Sequence, residues 1–177
     1  MISALGPMGI EGYLLVCSKE HTQGAGSLPK DQYPELAGLI TKKRKVLSVY
    51  YAPDIVVFEH SPSIRTCKAG SCIDHTHLHV VPTKTDILRF LRSRDFTIDQ
   101  IDDICQIKER NLTELCYLYV EDQDAKKHFV NVNTPLESQY LRKVVAAHDR
   151  LPNWDWRTNP CYETIERTMN KLRGKFD

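Results

Sequence analysis

The sequence predicts an α+β fold: an antiparallel sheet with a packed helix, followed by a mainly helical C-terminal extension. Three observations lead there. Apolar runs of strand length recur in the first half, at Tyr13–Cys17, Ile55–Phe58 and Ile73–Val81. A single amphipathic stretch lies between the first two. The second half is dominated by helical spacing of apolar residues, broken by one strand-like pair. No repeat, low-complexity tract or flexible linker interrupts the chain. Residues 1–84 are therefore read as the core and 85–177 as an extension packed on the same domain.

The elements follow in order. Tyr13–Cys17, after Gly12, is a buried strand. His21 to Leu28 holds Gly24, Gly26 and Ser27 and is a loop. A helix begins near Pro34, because proline suits the first turn, and runs to Tyr51 with Leu36, Leu39, Ile40, Leu47 and Tyr50 on one face. Ile55–Phe58 is the second buried strand, Ser61 to Ser71 a loop, and Ile73–Val81 a third strand stopped by Pro82. Asp86–Arg92 is a short helix, and Phe96–Arg110 a second, with Ile98, Ile101 and Ile104 at helical spacing. Leu115–Val120 and His128–Val132 form an antiparallel pair. Thr134-Pro135-Leu136-Glu137 has the pattern of a capped helix start, with Leu136, Tyr140, Leu141, Val144 and Val145 as the inward face. A last helix follows Asn159-Pro160, with Ile165, Met169 and Leu172 inward.

Composition removes several function classes. The 24 Lys and Arg balance 23 Asp and Glu, so there is no basic excess for general nucleic-acid binding. The one basic run, Lys42, Lys43, Arg44 and Lys45, reads as a solvated helix face. Met1 to Gly12 lacks the basic and apolar regions of a secretory signal, and no segment is apolar for long enough to span a membrane. Six cysteines in that context read as reduced thiols of a cytoplasmic protein, with Cys17, Cys105, Cys116 and Cys161 as small buried hydrophobes. Trp154 and Trp156 read as core or interface anchors.

The segment Cys72-Ile-Asp-His75-Thr-His77-Leu-His79-Val-Val-Pro82 carries the chemistry. Three of the seven histidines alternate here, where a shuffled chain of this composition gives about 0.01 such runs. Alternate residues of a strand share a face, so His75, His77 and His79 point one way and Thr76, Leu78 and Val80 point into the core. Crowded imidazoles disfavour one another's protonation, which keeps a neutral nucleophile near pH 7. Three readings fit: a polar strand face without chemistry, a metal site, and nucleophilic catalysis on phosphorus. The metal reading has no C-x-x-C pair in support, and its H-x-x-x-H spacing, His75 to His79, falls in a strand pattern rather than on one face of a helix.

His-Thr-His-Leu-His-Val-Val resembles the histidine triad of the histidine-triad (HIT) superfamily, and Gly12-Tyr-Leu-Leu-Val-Cys-Ser-Lys-Glu-His21 resembles that family's strand and lysine-bearing turn. The resemblance covers Gly12 to Pro82. Ser138-Gln-Tyr-Leu-Arg142 and Trp154-Asp-Trp-Arg157 are similar to a C-terminal extension of some bacterial members. It implies a nucleotide hydrolase or nucleotidyltransferase in which His77 attacks the α-phosphorus and forms a covalent nucleotidyl-histidine. His75 and His79 then orient His77 and bind or protonate phosphate oxygens, while Gly70, Ser71 and Cys72 bind phosphate. No cofactor or metal is implied. The partners are a nucleotide-like small molecule and, as in similar proteins, a second copy of the chain in a homodimer.

Several positions depart from the family pattern. Glu59 stands where many members have asparagine near the phosphate, and a carboxylate there is repulsive unless protonated or paired. Tyr13 stands where many have histidine, and Cys72 where many have serine. Tyr13, Glu59 and Arg142 are thus expected close to substrate, with a solvated helix face as the other reading of Arg142. The strands that precede Gly12 in the family are expected to be absent. Glu59 and the missing strands favour an alternative, a non-catalytic nucleotide-binding or scaffold protein. A zinc site from Cys67, Cys72, His60 and His75 is a further alternative, as is a metal-dependent enzyme using the histidine cluster.

Overall fold

The apolar runs become strands that pair antiparallel throughout. The computed structural model describes residues 1–6, 8–61, 75–110, 116–134, 136–152 and 154–176. Its strands are β1 (Ile2–Leu5), β2 (Leu14–Cys17), β3 (Ile55–Ser61), β4 (His77–Pro82), β5 (Ile98–Ile101), β6 (Tyr117–Glu121) and β7 (Lys127–Asn131). They form one sheet in the order β1-β2-β4-β3-β6-β7-β5. The helices are α1 (Tyr33–Tyr50), α2 (Ile87–Arg92), α3 (Gln106–Arg110), α4 (Tyr140–His148) and α5 (Tyr162–Leu172). No helix of the described residues is long and apolar enough to cross a membrane.

The sheet is covered on both faces, which is why its central strands read as unbroken apolar runs rather than alternating ones. Leu14, Val16, Val57, Leu78 and Val80 pack with Leu36, Ile40 and Leu47 of α1. Leu15, Cys17, Val56, Phe58 and Val81 face the other way, into a core closed by Leu88 and Leu91 of α2 and Leu141 and Val145 of α4. The short α2 starts as its sequence demands: the Asp86 carboxylate accepts a hydrogen bond from the Arg89 amide at 2.8 Å.

Five expectations are corrected. A strand does precede Gly12: β1 pairs with β2 from Ile2↔Cys17 to Leu5↔Leu14. The extension does more than pack helices on the sheet: beside four helices, residues beyond 84 supply three of the seven described strands, with β6 hydrogen-bonded directly to β3. The predicted helix over Phe96–Arg110 is instead β5 followed by the single-turn α3. Pairing of Ile98–Ile101 with β7 overrides the helical spacing, and the Gln106 side chain accepts from the Asp102 amide at 2.8 Å in the turn between them. The Thr134 cap is not used. Gln139 adopts a left-handed conformation (φ 62°), which an α-helix cannot include, so α4 starts at Tyr140. The inward face of α5 is Thr164, Thr168 and Leu172, with Met169 47% exposed. The threonines face inward because Thr168 Oγ1 accepts the Gly12 amide at 3.0 Å, a donor that would otherwise be buried without a partner.

The basic run also departs from a solvated face. Lys43 is buried, its ammonium 5.0 Å from the centre of the Phe176 ring. Arg44 reaches the β6–β7 hairpin, 3.2 Å from Glu121 Oε1, and donates to the Asp122 and Gln123 carbonyls. Of the cysteines expected to be buried, Cys17 and Cys116 are, Cys161 is half-buried and Cys105 is exposed.

Candidate functional site

The pairing of β4 between β2 and β3 sets the surroundings of each histidine. Leu15 of β2 and Phe58 of β3 lie opposite His79, and Cys17 lies opposite His77. The His79 ring stacks on Phe58, with centroids 4.6 Å apart and planes at 17°. His77 meets His79 edge-on at 5.2 Å. His75 precedes the strand proper and turns to the loop after β2. There its Nδ1 lies 3.1 Å from the Ser18 carbonyl and its ring packs 4.2 Å from that of His21. Thr76 anchors this corner through Thr22 Oγ1 at 2.8 Å.

These bonds assign the ring protons. A carbonyl oxygen can only accept, so His77 Nδ1, 2.9 Å from the His75 carbonyl, carries the hydrogen. The lone pair of neutral His77 is then on Nε2. The same reasoning places the proton of His75 on Nδ1. His79 differs: its Nδ1 lies 2.5 Å from the phenol oxygen of Tyr13.

Burial dominates the electrostatics. It pulls the His77 pKa below the ordinary imidazole value; the bond to the His75 carbonyl opposes this and the charge of Arg142 adds to it. His79 is lowered much further, by burial first and then by His77, Arg142 and His60. The rings are therefore neutral at pH 7. Burial pushes the Tyr13 phenol up to about 12, with Arg142 pulling the other way through its charge and a hydrogen bond.

The site-residue expectations meet different fates. His77 and His79 lie together. Tyr13 is buried with its hydroxyl on His79. Arg142 is neither solvated nor on an open face: it is buried, its Nη2 donates to the Trp154 carbonyl at 2.8 Å, and its guanidinium lies over the Tyr13 ring. Glu59 is corrected. Strand alternation sends its carboxylate to the α1 side of the sheet, opposite the histidines, where it accepts from the Ala25 amide at 2.9 Å and the Tyr117 hydroxyl at 2.8 Å. Gly70, Ser71, Cys72 and Cys67 lie outside the described residues. The expectation of one buried and one imidazole-lined face is also modified, because the C-terminal half covers the histidine side and leaves His79 only 7% exposed.

His60 belongs to this site, although sequence reasoning weighed it only as a zinc ligand. It follows Phe58 by two residues on β3, so it shares the histidine face. Among the described residues its two buried ring nitrogens have no hydrogen-bond partner, and burial, followed by His77, lowers its pKa to about 4. The signal for it was alternation along β3, but that becomes informative only once β3 is known to pair with β4. Among the described residues no group of three or more His, Cys, Asp or Glu side chains is placed to hold a metal ion. Comparison of the chain with protein-family models and with curated proteins finds no match.

Proposed function

We propose that this chain is a HIT-type nucleotide hydrolase or nucleotidyltransferase that works through a covalent nucleotidyl-histidine on His77. One observation carries the reading: the hydrogen bond from His77 Nδ1 to the His75 carbonyl, which leaves a neutral Nε2 lone pair on a ring held in place. In the first step that lone pair forms a bond to the α-phosphorus. The bond from phosphorus to the leaving group breaks, and the leaving group departs with its electron pair and takes up a proton. The nucleotidylated ring is cationic, with its remaining proton on Nδ1, and the His75 carbonyl dipole faces that charge. Water, or an acceptor hydroxyl, then attacks phosphorus and returns His77 to its starting form.

The two features that favoured a non-catalytic protein lose force. Glu59 is on the other side of the sheet, so it does not repel a phosphate on the histidine face. A strand does precede Gly12. The substrate is a small nucleotide-like molecule, and the working form is a homodimer in the cytoplasm. The test uses a panel of adenosine and guanosine phosphoramidates and dinucleoside polyphosphates, with and without chelator. His77→Ala abolishes turnover and the nucleotide mass trapped on the protein, and chelation changes nothing. Near-normal turnover in His77→Ala, or loss of activity on chelation, replaces this reading with the metal-dependent one.

A further inference from the structure

We propose that Tyr13, oriented by Arg142, is a positioning residue that locks His79 in the tautomer with its proton on Nε2, opposite to that of His77. The lock stands on geometry alone; only its consequence for turnover rests on the function proposed above.

The backbone on both sides holds the phenol in place. Tyr13 follows Gly12, whose φ of +82° favours glycine, and the Gly6 amide donates to the Tyr13 carbonyl at 2.9 Å. A Cβ at Gly6 would overlap the Tyr13 ring, so glycine there lets the backbone lie against it. The ring is 1% exposed and its oxygen is 2.5 Å from His79 Nδ1. Two arrangements satisfy that distance: the phenol donates to a bare Nδ1, or Nδ1–H donates to the phenol. Arg142 decides between them. A guanidinium only donates, and this one, buried with its Cζ 5.5 Å from the ring centre, also makes a side-chain hydrogen bond to the phenol. The phenol oxygen accepts from that side, and among the described residues His79 Nδ1 is the acceptor left for its hydrogen. The neutral His79 ring therefore carries its proton on Nε2.

The consequence is a division of labour along one strand. His77 presents a lone pair and His79 presents an N–H, two residues apart with rings in contact. A donor fixed beside a nucleophile suits a step in which phosphate oxygens gain charge as a bond to nitrogen forms. The cation that orients the donor comes from α4, so the C-terminal half of the chain takes part in the site rather than merely covering it.

Nitrogen-15 NMR of the full chain, correlating ring nitrogens with ring protons, tests this without substrate. His79 is expected to show a protonated Nε2 and an unprotonated Nδ1, and His77 the reverse. In Tyr13→Phe the two His79 nitrogen shifts move toward each other as the tautomers mix. Arg142→Gln, which keeps an N–H donor but not the charge, leaves the His79 pattern in place. With adenosine phosphoramidate as probe, Tyr13→Phe lowers kcat by about 100-fold with KM little changed. A protonated Nδ1 on wild-type His79 overturns the proposal, as does an unaltered tautomer and kcat in Tyr13→Phe. If no probe is turned over by the wild type, the function proposed above fails, while the NMR pattern in wild type and Tyr13→Phe still decides the lock.

Discussion

Replacing Glu59 with glutamine should flatten part of the pH dependence of stability. The carboxyl is 2% exposed and, among the described residues, has no cation within the hydrogen-bonded group around it: its partners are the Ala25 amide and the Tyr117 hydroxyl, and Tyr117 in turn accepts from the Gly26 amide at 2.8 Å. Burial outweighs those two bonds and raises its pKa from an ordinary 4.5 to about 7. The folded chain thus holds a proton between pH 4.5 and 7 that the unfolded chain has released. Glu59's contribution to stability is whole below pH 4.5 and is lost as pH rises through 7. The full span is about 3 kcal/mol, and the part falling between pH 5.5 and 7.5 is about 2 kcal/mol. Glutamine has no proton to lose, keeps the Ala25 bond through its amide oxygen and matches the shape. Urea denaturation of both proteins at several pH values in that range provides the assay. The stability of wild type relative to Glu59→Gln should fall by about 2 kcal/mol from pH 5.5 to 7.5. A constant difference would refute both the burial of the carboxyl and the placement of Glu59 away from solvent and the histidine face.

The neighbouring residue works in the opposite direction. His60, with a folded pKa of about 4 against an ordinary 6.5, contributes stability that is whole above pH 6.5 and is lost as pH falls through 4, about 3 kcal/mol in all. His60→Leu, which removes two buried ring nitrogens without partners among the described residues, should shift the acid unfolding midpoint to lower pH by circular dichroism; an unchanged midpoint contradicts this. In the β6–β7 hairpin, Ala125 sits at φ 62°. Ala125→Gly should raise thermal stability by about 1 kcal/mol by relieving left-handed strain, and calorimetry showing a lower Tm would count against it.

Much of the frame was legible from residues alone. The strand runs around Leu14–Val16, Val56–Phe58 and His77–Val81, the α1 helix with proline in its first turn, the Asp86-capped α2, the β6–β7 pair and the helix after Pro160 all follow from local patterns. Such patterns encode the state of a segment because side-chain periodicity and capping act within a few residues. The alternation of His75, His77 and His79 likewise marked β4 before any partner strand was known. Pairing is different, because it is settled by which backbone edges find one another across long separations. It turned Ile98–Ile101 into a strand, drew three segments of the second half into the sheet and brought His60 onto the histidine face. The same topology sent Glu59 to the far side and carried Arg142 from α4 to Tyr13. Local pattern was therefore enough for most of the elements and for the alternating histidines. Which charges and hydroxyls surround those histidines was settled by packing, since burial and hydrogen-bond partners are properties of the folded chain.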